Sequence, residues 1–197
     1  SDVYKRQPFS NPSDDGRFVA GMVGKTGDVA LVDTVAGTYR TLGMGRGDYS
    51  DGYASLGILS PDGSAVAVEW YDGDNRGALR LIRSDGTGLR DLIPPPAEVR
   101  AYQWSRDGAF ILAAVQTATG SNTICLIAAA DAAIRQVGQL GPVLPSNMSL
   151  SPDGRYIAFD SPETAGATDH DLYVLDAHTG AVWPLAPSPG EDLAPFW

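Results

Sequence analysis

One short motif recurs four times along the chain at a nearly constant spacing, and this repeat limits the possible folds more than any other feature of the sequence. Each copy has a serine followed two residues later by Asp-Gly, and a short apolar stretch comes directly after it. The glycines of the four copies are Gly16, Gly63, Gly108 and Gly154, which are 47, 45 and 46 residues apart. A fixed period of this length is typical of an architecture in which each repeat packs on the next.

The fourth repeat shows what one unit contains. Four short apolar stretches occur there, at residues 148–150, 156–159, 172–175 and 181–185. The first two are joined by Ser-Pro-Asp-Gly, in which proline presets the turn dihedral, aspartate bonds nearby backbone and glycine accepts positive φ. A Thr-Gly turn at residues 179–180 joins the last two. Four antiparallel strands in about 45 residues are typical of a β-propeller blade.

Two other architectures fit part of this pattern. HEAT-type helical repeats have a similar period, but these stretches are short and are separated by Gly, Pro and Asp, which does not fit amphipathic helices. A β-sandwich would explain the strands but not their regular spacing. Residues 110–115 are apolar on both faces, as expected for a sheet covered by a neighbour on each side. The sequence therefore predicts an all-β propeller of four-stranded antiparallel blades.

The fourth repeat also carries a resemblance to a known family. Ser-Pro-Asp-Gly-Arg-Tyr-Ile-Ala-Phe at residues 151–159, followed by Asp-Leu-Tyr-Val-Leu-Asp at 171–176, resembles the WD-like repeat of TolB-type propellers. The same repeat builds the propeller of prolyl-oligopeptidase-family serine peptidases. The resemblance extends over residues 10–197 and implies a ring of six or more blades, of which about four are present here.

Both ends of the sequence suggest a fragment. Residues 2–7, Asp-Val-Tyr-Lys-Arg-Gln, resemble the in-frame translation of a sequencing adapter, so residues 1–7 are expected to be a non-native tag. Residues 8–197 are expected to form one partial propeller domain. The last residues, 194–197, match the register of residues 101–104, so a fifth repeat is expected to begin at about residue 194. Further blades of the same chain are then missing.

The charge balance excludes some classes of partner. The chain has 14 Lys and Arg against 24 Asp and Glu, which gives a net charge of −10. Nucleic acids and anionic membrane surfaces need a basic footprint, so neither is an expected partner. The longest apolar runs are far shorter than a membrane-spanning helix. We therefore expect neither nucleic-acid binding nor membrane insertion.

The sequence contains no constellation typical of a catalytic or metal-binding site. The chain has no Gly-x-Ser-x-Gly elbow, and the Asp-rich segment at 72–77 departs from a calcium loop because its twelfth position is Arg83. His170 and His178 lie in different connections, and the single cysteine, Cys125, sits in an apolar stretch. We expect no metal, no cofactor and no catalytic site within this fragment.

The blade pattern predicts which face binds. The Asp-Gly and Thr-Gly turns emerge at one end of each sheet, which is expected to be structural. The longer connections emerge at the other end, and binding residues concentrate on such loops. This loop face is predicted to hold aromatic and carboxylate residues suited to a ligand or peptide: Tyr49, Tyr53, Trp70, Tyr71, Asp72, Asp74, Glu163, Asp169 and His170.

Two functions remain open at this point. The first is a non-catalytic propeller that binds a ligand, protein or peptide as part of a larger bacterial protein. The second is the accessory propeller of a prolyl-oligopeptidase-like serine peptidase whose catalytic domain lies outside this sequence. The resemblance to TolB-type propellers favours a periplasmic location.

Overall fold

The described part of the chain is built from β-strands. The computed structural model describes residues 10–45, 50–116, 120–162, 170–185, 195 and 197. These residues contain fifteen strands and no helix, so nothing in the described ranges meets the length and hydropathy of a membrane-spanning helix. The chain divides into two compact units, Ser1–Ala101 and Tyr102–Trp197.

The first unit contains two antiparallel sheets. The described strands of the first sheet, in spatial order, are β1 (Phe18–Met22), β2 (Val29–Asp33) and β3 (Thr38–Leu42). The second sheet has the order β4 (Gly52–Leu59), β5 (Ala65–Asp72), β6 (Gly77–Arg83) and β7 (Arg90–Ile93). Strands that follow one another in the sequence are neighbours in both sheets, as expected for the antiparallel blades that the repeat predicts.

Two more sheets follow. The third has the strands β8 (Val99–Trp104), which crosses the boundary between the units, β9 (Phe110–Gln116), β10 (Asn122–Ala128) and β11 (Ile134–Leu140). The fourth has β12 (Met148–Leu150), β13 (Tyr156–Pro162), β14 (His170–Asp176) and β15 (Val182–Pro184). Each sheet corresponds to one sequence repeat, so the predicted all-β fold of antiparallel blades is confirmed.

The recurring Ser-x-Asp-Gly turn has the same bonding in all four copies. The serine hydroxyl donates to the aspartate Oδ1 at 2.6–2.7 Å and accepts the amide N–H five residues later at 2.8–3.0 Å. The same Oδ1 accepts the amide two residues after the aspartate at 3.0–3.1 Å. The glycines have φ of 69–71°, which an L side chain rarely adopts. The turn therefore satisfies its polar groups within six residues.

Each unit has its own apolar core between two sheets. In the first unit the core includes Leu31, Leu42 and Trp70. In the second it includes Leu112, Ile124 and Leu175. The strand Phe110–Gln116 is buried through its middle, as expected for a sheet covered on both faces.

Strands extend further toward the loop face than the sequence indicated. We expected Trp70, Tyr71 and Asp72 to lie in a connection, but β5 continues to Asp72, and the connection begins at Gly73. The reason is pairing with β4, in which Gly52, Tyr53 and Ala54 lie opposite Asp72, Tyr71 and Trp70. The expectation that these residues lie in loops was therefore wrong, because each belongs to a paired strand: Tyr53, Trp70, Tyr71, Asp72 and His170.

Candidate functional site

A stacked pair of tyrosines lies at the loop end of the second sheet. Tyr53 and Tyr71 are cross-strand partners, and their ring centroids are 5.5 Å apart with an angle of 18° between the planes. The Tyr53 hydroxyl donates to Asn75 Oδ1 at 3.2 Å. Partial burial raises the pKa of Tyr71, and the carboxylates of Glu69 and Glu98 add to the effect. The pair is therefore an aromatic platform whose geometry is fixed by the sheet.

The connection after this pair is held by one aspartate. Asp72 Oδ1 accepts the amides of Asp74 at 3.0 Å and of Arg76 at 2.9 Å, and its Oδ2 pairs with the Arg76 guanidinium at 2.8 Å. These hydrogen bonds lower the pKa of Asp72. Asp74 contacts Arg76 at 3.3 Å, with a side chain that is 77% exposed. Asp72 therefore orders the loop, and Asp74 is the carboxylate that the loop presents to solvent.

Trp70 points to the opposite side of β5 and belongs to the core. It is 2% exposed, and the Arg80 guanidinium lies 4.9 Å from its ring centroid. Gly52 has a φ of 132°, and a Cβ at this position would overlap both the Tyr71 carbonyl and the Trp70 ring. The indole of Trp70 therefore supports the loop end of the sheet from inside, beneath Gly52.

Glu69, which no sequence motif singled out, is buried beside this site. Its Oε1 accepts the Ala101 amide at 2.6 Å, and its Oε2 accepts the Ser55 hydroxyl at 3.0 Å. Burial raises the pKa of this carboxyl. Ser55 is the extra residue of a bulge in β4, which turns its hydroxyl toward the carboxylate. The available signal was a single charged residue inside the apolar stretch Ala65–Trp70.

The second unit holds a related arrangement around His170. His170 Nδ1 lies 3.3 Å from Oδ2 of Asp160, a residue with 0% exposure. The Asp160 carboxylate also accepts the amides of Ser146 at 3.2 Å and Asn147 at 2.6 Å. Asp160 follows its turn glycine by six residues, as Glu69 does in the second repeat. The repeat frame therefore places a buried carboxylate at the same position of two sheets.

Three predicted site residues, Tyr49, Glu163 and Asp169, lie outside the described residues. The structure brings Tyr53, Tyr71 and Asp74 together in the first unit and describes His170 in the second. Within the ranges it describes, no three His, Cys, Asp or Glu side chains form a cluster that could hold a metal ion.

Comparison with solved structures identifies the fold. A TolB structure from Agrobacterium tumefaciens matches with a TM-score of 0.69 and 18% identity over 95% of this chain and 65% of that one. TolB from Acinetobacter baumannii matches with a TM-score of 0.65 and 18% identity over 95% of this chain and 45% of that one. The fold is that of a TolB-type β-propeller.

The TolB-type fold is also found within larger enzymes. A prolyl endopeptidase structure matches with a TM-score of 0.65 and 16% identity, over 93% of this chain and 30% of that one. No protein-family model matches the chain, and no curated protein matches it. The chain spans less than two thirds of the length of each of these solved structures. At these identities the likeness shows the fold alone.

Proposed function

We propose that this TolB-type propeller is a non-catalytic binding module whose loop face contacts a protein or peptide partner. The observation that carries the proposal is the Tyr53–Tyr71 stack, whose Tyr53 hydroxyl bonds Asn75, the residue next to the exposed Asp74. Rigid aromatic side chains supply contact area at little cost in conformational entropy, and they are enriched among residues that dominate binding energy. The sheet and the Asp72 hydrogen bonds hold these groups in place before a partner arrives.

The charges of the site favour a partner with a basic group. Asp72 is paired closely with Arg76, and Asp74, which also contacts Arg76 at 3.3 Å, keeps a side chain that is 77% exposed. A peptide that places an aromatic or aliphatic side chain against the tyrosines and a Lys or Arg near Asp74 would match this surface. The net charge of −10 would also attract such a partner from a distance.

A phage-displayed random peptide library tests the proposal, because it needs no known partner. The affinity of the selected peptides would then be measured by fluorescence anisotropy, for the unchanged chain and for the variants Tyr71→Ala, Tyr53→Ala and Asp74→Asn. We expect each tyrosine variant to weaken binding by about tenfold or more. Ser64→Ala, an exposed change at the turn end of the same sheet, is the matched control. Selected peptides that bind Tyr71→Ala as tightly as the unchanged chain would refute the proposal.

A second function is supported by the likeness to prolyl endopeptidase. In this alternative, residues 8–197 are part of the accessory propeller of a serine peptidase, with a fifth repeat from about residue 194. The gene sequence beyond codon 197 distinguishes the two proposals. Further Ser-x-Asp-Gly repeats that end the protein favour the binding module, whereas a later Gly-x-Ser-x-Gly segment favours the peptidase.

A further inference from the structure

The turns of neighbouring sheets meet differently in the two units. In the first unit, the Asp14 amide donates to the Pro61 carbonyl at 2.7 Å, so the turns of the first and second sheets touch. A Cβ on Gly63 would lie 3.0 Å from Phe18 Cδ2 and 3.3 Å from Ser13 Cβ. The junction between these two turns is closed.

The equivalent junction in the second unit is open. Arg106 takes the place of Asp14 in the repeat, and Pro152 and Gly154 take the places of Pro61 and Gly63. A Cβ on Gly154 would meet nothing within 4 Å. A cleft of about 400 Å³ lies here, between the turns of the third and fourth sheets. This volume is at the lower end of the range of small-molecule pockets.

The inner wall of the cleft is apolar. Leu126 and Leu150 are 2% and 4% exposed, and Phe110 packs against the same core. Pro152 adds a further apolar surface at the edge. An aromatic or aliphatic group entering the cleft would therefore lose contact with water and gain contact with carbon on several sides.

The charged groups at the rim favour an anion. Asp107 and Asp153 each already accept a serine hydroxyl and a backbone amide through Oδ1, and these bonds lower the pKa of both carboxyls. Arg135 Nη1 donates to the Ala177 carbonyl at 3.1 Å. Arg106 is exposed and has no hydrogen bond or ion pair with any residue that the structure describes. Of the two guanidinium groups at the rim, that of Arg106 has all of its N–H groups available to a ligand.

We propose that this cleft binds an aromatic carboxylate, with its ring against Phe110, Leu126 and Leu150 and its carboxylate on the Arg106 guanidinium. Guanidinium matches a carboxylate with two parallel hydrogen bonds, which fixes the orientation of the ligand. His178 also lines the cleft. The site is separate from the loop face and would make the turn face of the second unit a binding surface as well.

Titration of the isotopically labelled full chain with N-acetyl-L-phenylalanine tests this proposal by amide NMR shifts. We expect the amides of Gly108, Gly154 and His178 to shift with a Kd of about 1 mM, the range for a ligand of this size. The Gly63 amide, at the closed junction, should not move. N-acetyl-L-phenylalanine amide, which lacks the carboxylate, should bind at least about tenfold more weakly.

Variants at the rim make the test specific. Arg106→Ala should weaken binding by about tenfold, and Arg106→Lys should recover part of the loss, because lysine keeps the charge but not the paired hydrogen bonds. Arg40→Ala removes another exposed arginine and should leave binding unchanged. Equal binding of the acid and its amide would overturn the proposal, as would full affinity in Arg106→Ala or shifts that map away from the cleft.

The source of the carboxylate is decided by a second probe. 3-Phenylpropionate carries the same ring and acid without the peptide group. Tighter binding of N-acetyl-L-phenylalanine supports the C-terminal residue of a peptide as the natural ligand, whereas tighter binding of 3-phenylpropionate supports a free aromatic acid. Absence of binding by both, at concentrations tenfold above the expected Kd, would overturn the proposal.

Discussion

Replacing the turn serine in the third repeat should destabilise the second unit by an amount that the structure allows us to work out. Ser105 is 7% exposed, and its hydroxyl has two partners. It donates to Asp107 Oδ1 at 2.6 Å and accepts the Phe110 amide at 2.9 Å. Ser105→Ala removes both bonds and leaves the amide without this acceptor.

The expected loss is about 2 kcal/mol. Removing the acceptor of the part-buried Phe110 amide costs about 1.5 kcal/mol, which combines the lost bond with the amide left unsatisfied. Asp107 is exposed, so solvent screening limits the contribution of the Ser105–Asp107 hydrogen bond to about 0.5 kcal/mol. With a typical urea dependence of about 2 kcal/mol per molar, the unfolding midpoint should fall by about 1 M urea.

Urea unfolding of the full chain followed by tryptophan fluorescence provides the measurement, because three of the four tryptophans belong to the second unit: Trp104, Trp183 and Trp197. Ser146→Ala is the matched control, because Ser146 is exposed and its hydroxyl lies outside the turn. We expect this control to change the free energy of unfolding by less than about 0.5 kcal/mol. If Ser105→Ala has no larger effect than the control, the argument that the serine holds the turn together is refuted.

Three further predictions follow from single groups. Gly138→Ala would place a Cβ against the buried Leu175 side chain and should cost about 1–3 kcal/mol in unfolding free energy, whereas Gly141→Ala, with open space around it, should cost little. Burial raises the pKa of Cys125 to about 11, so the folded chain should resist thiol reagents at pH 8 and react fully in denaturant. The Ser105 hydroxyl, followed by the Ala109 amide, lowers the pKa of Asp107. The stability that this carboxylate contributes should be present above its unfolded-state pKa of about 3.9 and be lost as the pH falls through its folded-state pKa. Carboxyl NMR titration should show a higher folded-state pKa for Asp107 in Ser105→Ala.

The sequence was sufficient for the blade and its turns because their causes are local. The position of each Asp-Gly fixes where a hairpin reverses, and the apolar stretches around it form the strands. The role of the turn serine was not predicted, although serine is present in all four copies. Its hydroxyl reaches an amide five residues later, which becomes visible only once the hairpin is closed.

The site could be predicted only in part because its remaining features depend on distant pairing. Trp70 and Tyr71 precede Asp-Gly-Asp-Asn, a segment that resembles a turn, and only their pairing with β4 keeps them in a strand. The Glu69 carboxylate accepts the amide of Ala101, which is 32 residues away in the sequence. The open junction beside Gly154 depends on how two sheets pack, which no single repeat encodes.

The self-contained bonding of the Ser-x-Asp-Gly turn also bears on how such a chain can change over generations. Every bond of one copy lies within six consecutive residues, and the four copies have nearly the same φ at glycine. An unequal crossover between the gene segments for two of these turns would splice the first half of one turn to the second half of another. The hybrid turn would keep the same hydrogen bonds, and the encoded protein would gain or lose one whole blade.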